Sequence, residues 1–159
     1  MKKARYVTTA AVVAAIYIVL TLLTNSLGLA SGAIQIRISE SLCVLPMFTP
    51  AAILGLFIGC LISNLLCGCV VWDIIFGSLA TLIGALFTYL LRKNKYLAVI
   101  PPILLNTIII PFVLKFAYGL PEGLWYFVAT ICIGEIVSCG ILGLMLYRYL
   151  KKYENHINF

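Results

Sequence analysis

The feature that most constrains this chain is the length of its charge-free apolar runs. They cover Tyr6 to Ile36, Ser41 to Trp72, Ile74 to Leu91 and Tyr96 to Leu114. Two more, Gly123 to Gly134 and Ile136 to Tyr147, are separated only by Glu135. A helix crosses a bilayer with about 20 mostly apolar residues, so these runs read as membrane spans. A mean hydropathy of +1.14 with 10% charged residues excludes a soluble globular domain. The fold class expected is an all-α integral membrane protein.

Charge then sets topology. Lys2, Lys3 and Arg5 open the chain, Arg92, Lys93 and Lys95 form a second cluster, and Arg148, Lys151 and Lys152 a third. By the positive-inside rule these mark three cytoplasmic segments. The net charge of +6 therefore reports topology and inner-leaflet contact rather than nucleic-acid binding. An even number of crossings must separate two inner segments. The run from Ser41 to Trp72 is too long for one span, and Pro46, Thr49 and Pro50 mark an inner turn. The expectation is a single membrane domain over residues 1–159 with both termini cytoplasmic. Its six transmembrane helices lie near 6–27, 35–49, 51–70, 73–92, 96–116 and 122–149. The first run, with "LASGA" at Leu29–Ala33, also has the look of a secretory signal. We read it as a retained helix, because its removal would unbalance the topology.

Under this topology Arg37, Glu40, Asp73, Lys115 and Glu122 fall at outer helix ends, and Glu135 falls near mid-membrane. A carboxylate there costs about 2.5–3.5 kcal/mol on insertion scales and as a rule faces a partner or a cavity. Glu135 is accordingly the leading candidate for contact with a solute or ion, the alternative being a protonated carboxyl bonded to a neighbouring helix. Asp73 opens "DIIFGSLATL" and suits either an N-cap or a ligand contact. Glu40, early in its helix, gains from the helix dipole. Arg37 lies three residues before it, on the same face if the segment is helical, which leaves an ion pair or the rim of a site open. Glu122, after Pro121 at a helix start, reads as a cap or a solvated side chain. Asn64 and Asn106 are either interhelical hydrogen-bond donors or site residues. Trp72, Trp125 and Tyr126 fit an interfacial belt, or one of them stacks on a flat ligand.

The six cysteines lie in or beside apolar runs, and His156, in the tail, is the sole histidine. They read as small hydrophobes rather than as a metal site. No P-loop, zinc-protease or serine-hydrolase motif is present. The chain is not expected to be an enzyme or to bind ATP. In "TTAAVVAAIY", Ala10, Ala11, Ala14 and Ala15 make two overlapping small-x-x-x-small pairs, suited to close helix approach within the chain or by a separate membrane subunit.

Four segments, "QIRISESLCVLPMFTPAAILGLFIGCLISNLL", "WDIIFGSLATLIGALFTYLLR", "PPILLNTII" and "IGEIV", resemble the queuosine-precursor transporter family, QueT. The resemblance runs from about Thr8 to Leu150. Its members are substrate-binding (S) components of energy-coupling factor (ECF) transporters, multi-pass proteins of the prokaryotic plasma membrane. The family often carries an acidic residue after the proline of the inner turn, where this chain has Ala51 after Pro50.

The resemblance implies a high-affinity subunit that captures a 7-deazaguanine, such as queuine or 7-aminomethyl-7-deazaguanine, in an outward-facing pocket. That pocket is shaped partly by the loop after the first helix. It further implies a coupling membrane subunit, contacted by the alanine motif, and two ATPase subunits that use ATP and Mg, with no cofactor in this chain. A deazaguanine offers two donors on one edge, which a single carboxylate accepts in a fork. Glu135 is the first choice, then Asp73 and Glu40, with Asn64 and Asn106 on the remaining ring atoms and Trp72, Phe48 or Tyr126 on its face. A second carboxylate would hold the cation of an aminomethyl precursor, and Arg37 would orient Glu40 at the rim. The alternatives are an S component for another vitamin, such as riboflavin or folate, and a lone proton-coupled carrier that uses Glu135.

Overall fold

The structure, a computed structural model, describes residues 2–28 and 36–153. The candidate leader motif at Leu29–Ala33, most of the loop after the first helix, and His156 lie outside them. Six helices follow in order: α1 (Lys2–Ser26), α2 (Ile38–Met47), α3 (Ala51–Leu66), α4 (Val71–Leu90), α5 (Lys95–Ala117) and α6 (Leu124–Tyr153). No strand occurs among the described residues.

Helices α1, α4, α5 and α6 are long and apolar enough to cross a membrane. α2 and α3, with 10 and 16 residues, are shorter than the segments expected at 35–49 and 51–70. Among the described residues four helices, rather than the expected six, thus meet the length of a full span. α2 is a 3₁₀ helix, held by bonds to the third residue back rather than the fourth. Locally, Ser41 Oγ donates to the Ile38 carbonyl at 2.7 Å, and Pro46 has no N–H to give. At about 2.0 Å per residue its ten residues cover roughly 20 Å. α3 stops early because Gly68 takes a left-handed conformation (φ 71°), and Cys69 N–H returns to the Asn64 carbonyl at 3.0 Å. This is a glycine-terminated helix end.

The helices alternate in direction. Tyr6 Oη donates to the Pro50 carbonyl at 3.4 Å, and Tyr17 meets Gly59, so α1 and α3 run parallel. Cys60 pairs with Thr81, Thr88 with the Ala98 carbonyl, and Asn106 with Glu135, so α3 to α6 are successively antiparallel. At one end Phe48 packs on Tyr147 with ring centroids 5.3 Å apart, and Lys95 Nζ lies 6.0 Å from the same ring. The start of α1, the α4–α5 connection and the end of α6 therefore share one end of the bundle. All three basic clusters belong to those segments.

Two close contacts hold the frame. On α3 a Cβ at Gly55 would fall 2.6 Å from the Ala10 carbonyl oxygen, and one at Gly59 would fall 2.8 Å from Tyr17 Cβ. Ala10 and Ala14 are buried on the facing side of α1. The backbones approach because all four residues are small. The second contact is α2 itself, which touches each of the other five helices. Seven of its residues are buried, Ser39, Glu40 and Ser41 among them. A polar 3₁₀ segment forms the middle of an apolar bundle. Outward faces carry Val12, Val19, Leu79, Leu104 and Ile141, all exposed, as lipid contact requires.

Candidate functional site

Polar side chains converge at the end of the bundle opposite the basic clusters. The α1 stripe Tyr17, Thr21, Asn25 recurs every four residues, on one face of the helix. Thr21 Oγ1 lies 2.9 Å from the Tyr17 carbonyl and 2.9 Å from Ser39 Oγ. Such backbone returns let hydroxyls sit inside an apolar bundle. A cavity of about 280 Å³ opens here between α1, α3, α4 and α5. Its walls include Arg37, Asn64, Asp73, Asn25, Tyr118 and the Cys67–Cys69 turn. Small-molecule pockets start near ~300 Å³, so it is of ligand size.

Deeper in lies a chamber of about 10 Å³, lined by Arg37, Asn106, Ile110, Ile131 and Glu135. Arg37 lines both spaces. It stands before α2 in extended conformation (φ −104°, ψ 100°), which is why the expected one-face pairing with Glu40 does not form. The Glu40 oxygens instead accept from Tyr17 Oη and, at 3.1 Å, from Cys43 Sγ.

The other two carboxylates are each half used. Asp73 Oδ2 accepts from Tyr118 Oη at 3.0 Å, while Oδ1 is buried with no donor among the described residues. Glu135 Oε1 accepts from Asn106 Nδ2 at 2.9 Å, and Oε2 is likewise buried without a donor. Ser138 Oγ, one turn further on, shares that condition. Buried acceptors are costly unless bonded, and their cost falls when a donor is supplied. Tyr118 Oη also accepts from the Val70 N–H at 3.3 Å, which fixes the ring across the cavity mouth. Burial, with the Asp73 carboxylate beside it, holds the Tyr118 phenol above its ordinary range, so it stays a neutral donor.

Two π-helical segments flank the site, Val113–Ala117 in α5 and Ile136–Leu142 in α6. Each widens its helix by one residue, a distortion frequent at functional sites. The first leads directly into Tyr118, and the second starts directly after Glu135. Lys115 Nζ donates to the carbonyls of Leu120, Pro121 and Glu122 at 3.0–3.3 Å, folding the α5–α6 connection over the end of the bundle.

Of the residues expected from sequence, the structure brings Arg37, Asn64, Asp73, Asn106 and Glu135 to the two spaces. Glu40 is inside but committed to Tyr17 and Cys43. None of the three aromatic candidates lines either space. Trp72 is 57% exposed and stacks on Phe76. Tyr126 sits edge-on to Phe127, and Phe48 lies on Tyr147 at the basic end. Among the lining residues the aromatic ring belongs to Tyr118, which sequence reasoning missed, along with Thr21 and Asn25. The α1 polar stripe was the available signal for those two. Ala10 and Ala14 are consumed by α3, whereas Ala11 and Ala15 remain exposed.

These features define a multi-pass membrane protein that encloses a polar, carboxylate-bearing cavity within an apolar helical bundle. The chain belongs to the QueT transporter family, whose model matches residues 7–152. No curated protein and no solved structure matches it.

Proposed function

We propose that this chain is the substrate-binding subunit of an ECF-type importer in a prokaryotic plasma membrane, and that it captures a 7-deazaguanine queuosine precursor. The observation that carries this reading is the junction at Arg37. There a cavity of ligand size presents Asp73, Asn64 and Tyr118, and adjoins Glu135 and Asn106. A deazaguanine has a two-donor edge that suits a carboxylate, a carbonyl that suits Arg37 or Asn64, and a flat face that suits the Tyr118 ring. Stacking of a base on an aromatic ring contributes about 1–3 kcal/mol.

In this reading all six helices are embedded, both termini are cytoplasmic, and the cavity end faces outward. The exposed Ala11 and Ala15 supply the small-residue surface for a coupling membrane subunit, with ATP hydrolysis by two partner ATPases. Calorimetric titration of the purified chain in detergent with queuine and 7-aminomethyl-7-deazaguanine tests it, with riboflavin and guanine as controls. Tight binding of a deazaguanine without a riboflavin response is expected. A riboflavin response in its place would transfer the same architecture to another vitamin. Uptake by the lone chain in vesicles, driven by a pH gradient, would favour a proton-coupled carrier.

A further inference from the structure

We propose that a groove between α4 and α5, on the lipid-facing side of the bundle, holds one acyl chain of a bilayer phospholipid. This site is separate from the polar cavity and does not depend on which solute that cavity takes.

The groove measures about 430 Å³, larger than the polar cavity and within the range of small-molecule sites. Its walls come from Trp72 and Phe76 of α4 and from Ile108, Phe112, Phe116 and Ala117 of α5. Apart from Trp72, no lining side chain carries a polar atom. A polar solute would leave its water there and gain no bonds in return. Two stacked pairs, each one helical turn apart, give the groove smooth sides. Trp72 and Phe76 have ring centroids 5.9 Å apart, and Phe112 and Phe116 have theirs 6.1 Å apart. The π-helical segment Val113–Ala117 widens α5 along the same stretch.

Length and place fit a single tail. From Ile108 to Ala117 the groove follows α5 for roughly 14 Å at 1.5 Å per residue. The hydrocarbon core is about 30 Å thick, so the groove has the depth of one leaflet. It opens at the helix ends, since Trp72 is the second residue of α4 and Ala117 the last of α5. Among the lining side chains the Trp72 indole N–H is the one hydrogen-bond donor, and at 57% exposure it is open to a lipid ester carbonyl.

Continuity identifies the occupant. Leu104 precedes Ile108, Phe112 and Phe116 on one stripe of α5, and Leu79 follows Trp72 and Phe76 on α4. All seven are exposed, so the groove is an indentation in the surface that meets lipid. A flexible tail follows such an indentation, and the bilayer surrounds it with tails. Across the same seam lies the polar cavity: Trp72 and Val113 line the groove, whereas their neighbours Asp73 and Leu114 line the cavity. The bound tail therefore backs the wall that carries Asp73 and Tyr118.

The test uses bromine, a heavy atom that quenches indole fluorescence on contact. Phosphatidylcholine with a dibrominated tail is titrated into the full chain in detergent, with the unbrominated lipid as the blank. The chain has two tryptophans. Trp125→Phe leaves Trp72 as the reporter, and Trp72→Phe leaves Trp125, which is 83% exposed and outside the groove. Trp72 should reach half-quenching at a lipid fraction about tenfold below that of Trp125. Adding Ala117→Phe to the Trp125→Phe chain places a ring in the groove and should remove that difference. Equal curves for the two tryptophans mean ordinary annular lipid and overturn the proposal. A difference that survives Ala117→Phe overturns the placement between α4 and α5. No quenching of Trp72 at any lipid fraction would assign the groove to a protein neighbour and overturn it as well. The two single-tryptophan chains decide the main point even if the Ala117 variant does not fold.

Discussion

At the scale of single residues, the site divides its carboxylates by what already bonds them. Asp73 and Glu135 each keep one oxygen for a partner, and Glu40 keeps none. Hydrogen bonds to charged groups contribute about 1.5–3 kcal/mol, so Asp73→Asn should weaken ligand binding roughly 10- to 100-fold in a calorimetric titration. Tyr118→Phe keeps the ring and removes the donor that fixes Asp73. Its loss should be smaller, about 0.5–1.5 kcal/mol, and comparison with Tyr118→Ala separates the hydroxyl from the ring. Equal affinities for wild type and Tyr118→Phe would show that Asp73 is oriented without it. Sequence alone singled out Asp73 and Glu135 because a charge in an apolar run has to be explained. It could not separate them from Glu40, since the Tyr17 and Cys43 donors are brought together only by folding. Tyr118 escaped for a related reason. A tyrosine near a span end fits an interfacial belt, and only the bond to Asp73, 45 residues away, removes it from that belt.

At the scale of helices, the α1–α3 contact is the most exacting piece of packing. Gly59→Leu would drive a side chain into Tyr17, and overpacking of this kind costs about 1–3 kcal/mol. A lowered thermal midpoint in detergent, read by circular dichroism, is the expected result; an unchanged midpoint would mean that the two helices are not in contact there. The same contact sorts the alanine motif. Ala14→Leu should destabilise the isolated chain, whereas Ala15→Leu should leave stability and ligand binding unchanged and block co-purification with the coupling subunit. Normal assembly of the Ala15 variant would remove that face from the proposed docking surface. The motif was visible in the sequence, but its division was not, because the partner glycines at 55 and 59 lie in another run. Helix boundaries were legible wherever charge or proline marks them, as at Arg92 and Pro50. They failed at α2, where nothing in the composition distinguishes a 3₁₀ helix from the end of a span.

At the scale of the whole molecule, the alternating order places the three basic segments at one end and the carboxylate cavity at the other. Cys67 and Cys69 line that cavity, and both are partly exposed. A membrane-impermeant maleimide added to intact cells should therefore label Cys67 or Cys69, and bound ligand should slow the reaction. Labelling only after the membrane is opened would reverse the proposed sidedness. The central position of α2 also bears on biogenesis. This segment leaves the ribosome before α3 to α6, with Arg37 just ahead of it and Ser39, Glu40 and Ser41 within it, and alone it is a poor match for lipid. Its wall on one side is α6, where Gly143 packs against Val44 and the Ser41 carbonyl, and α6 is made after it. The middle of the bundle thus waits on α6. Until α6 has emerged, α2 has no finished seat, and Arg37, which stands directly before it in the cavity wall, is not yet held in place.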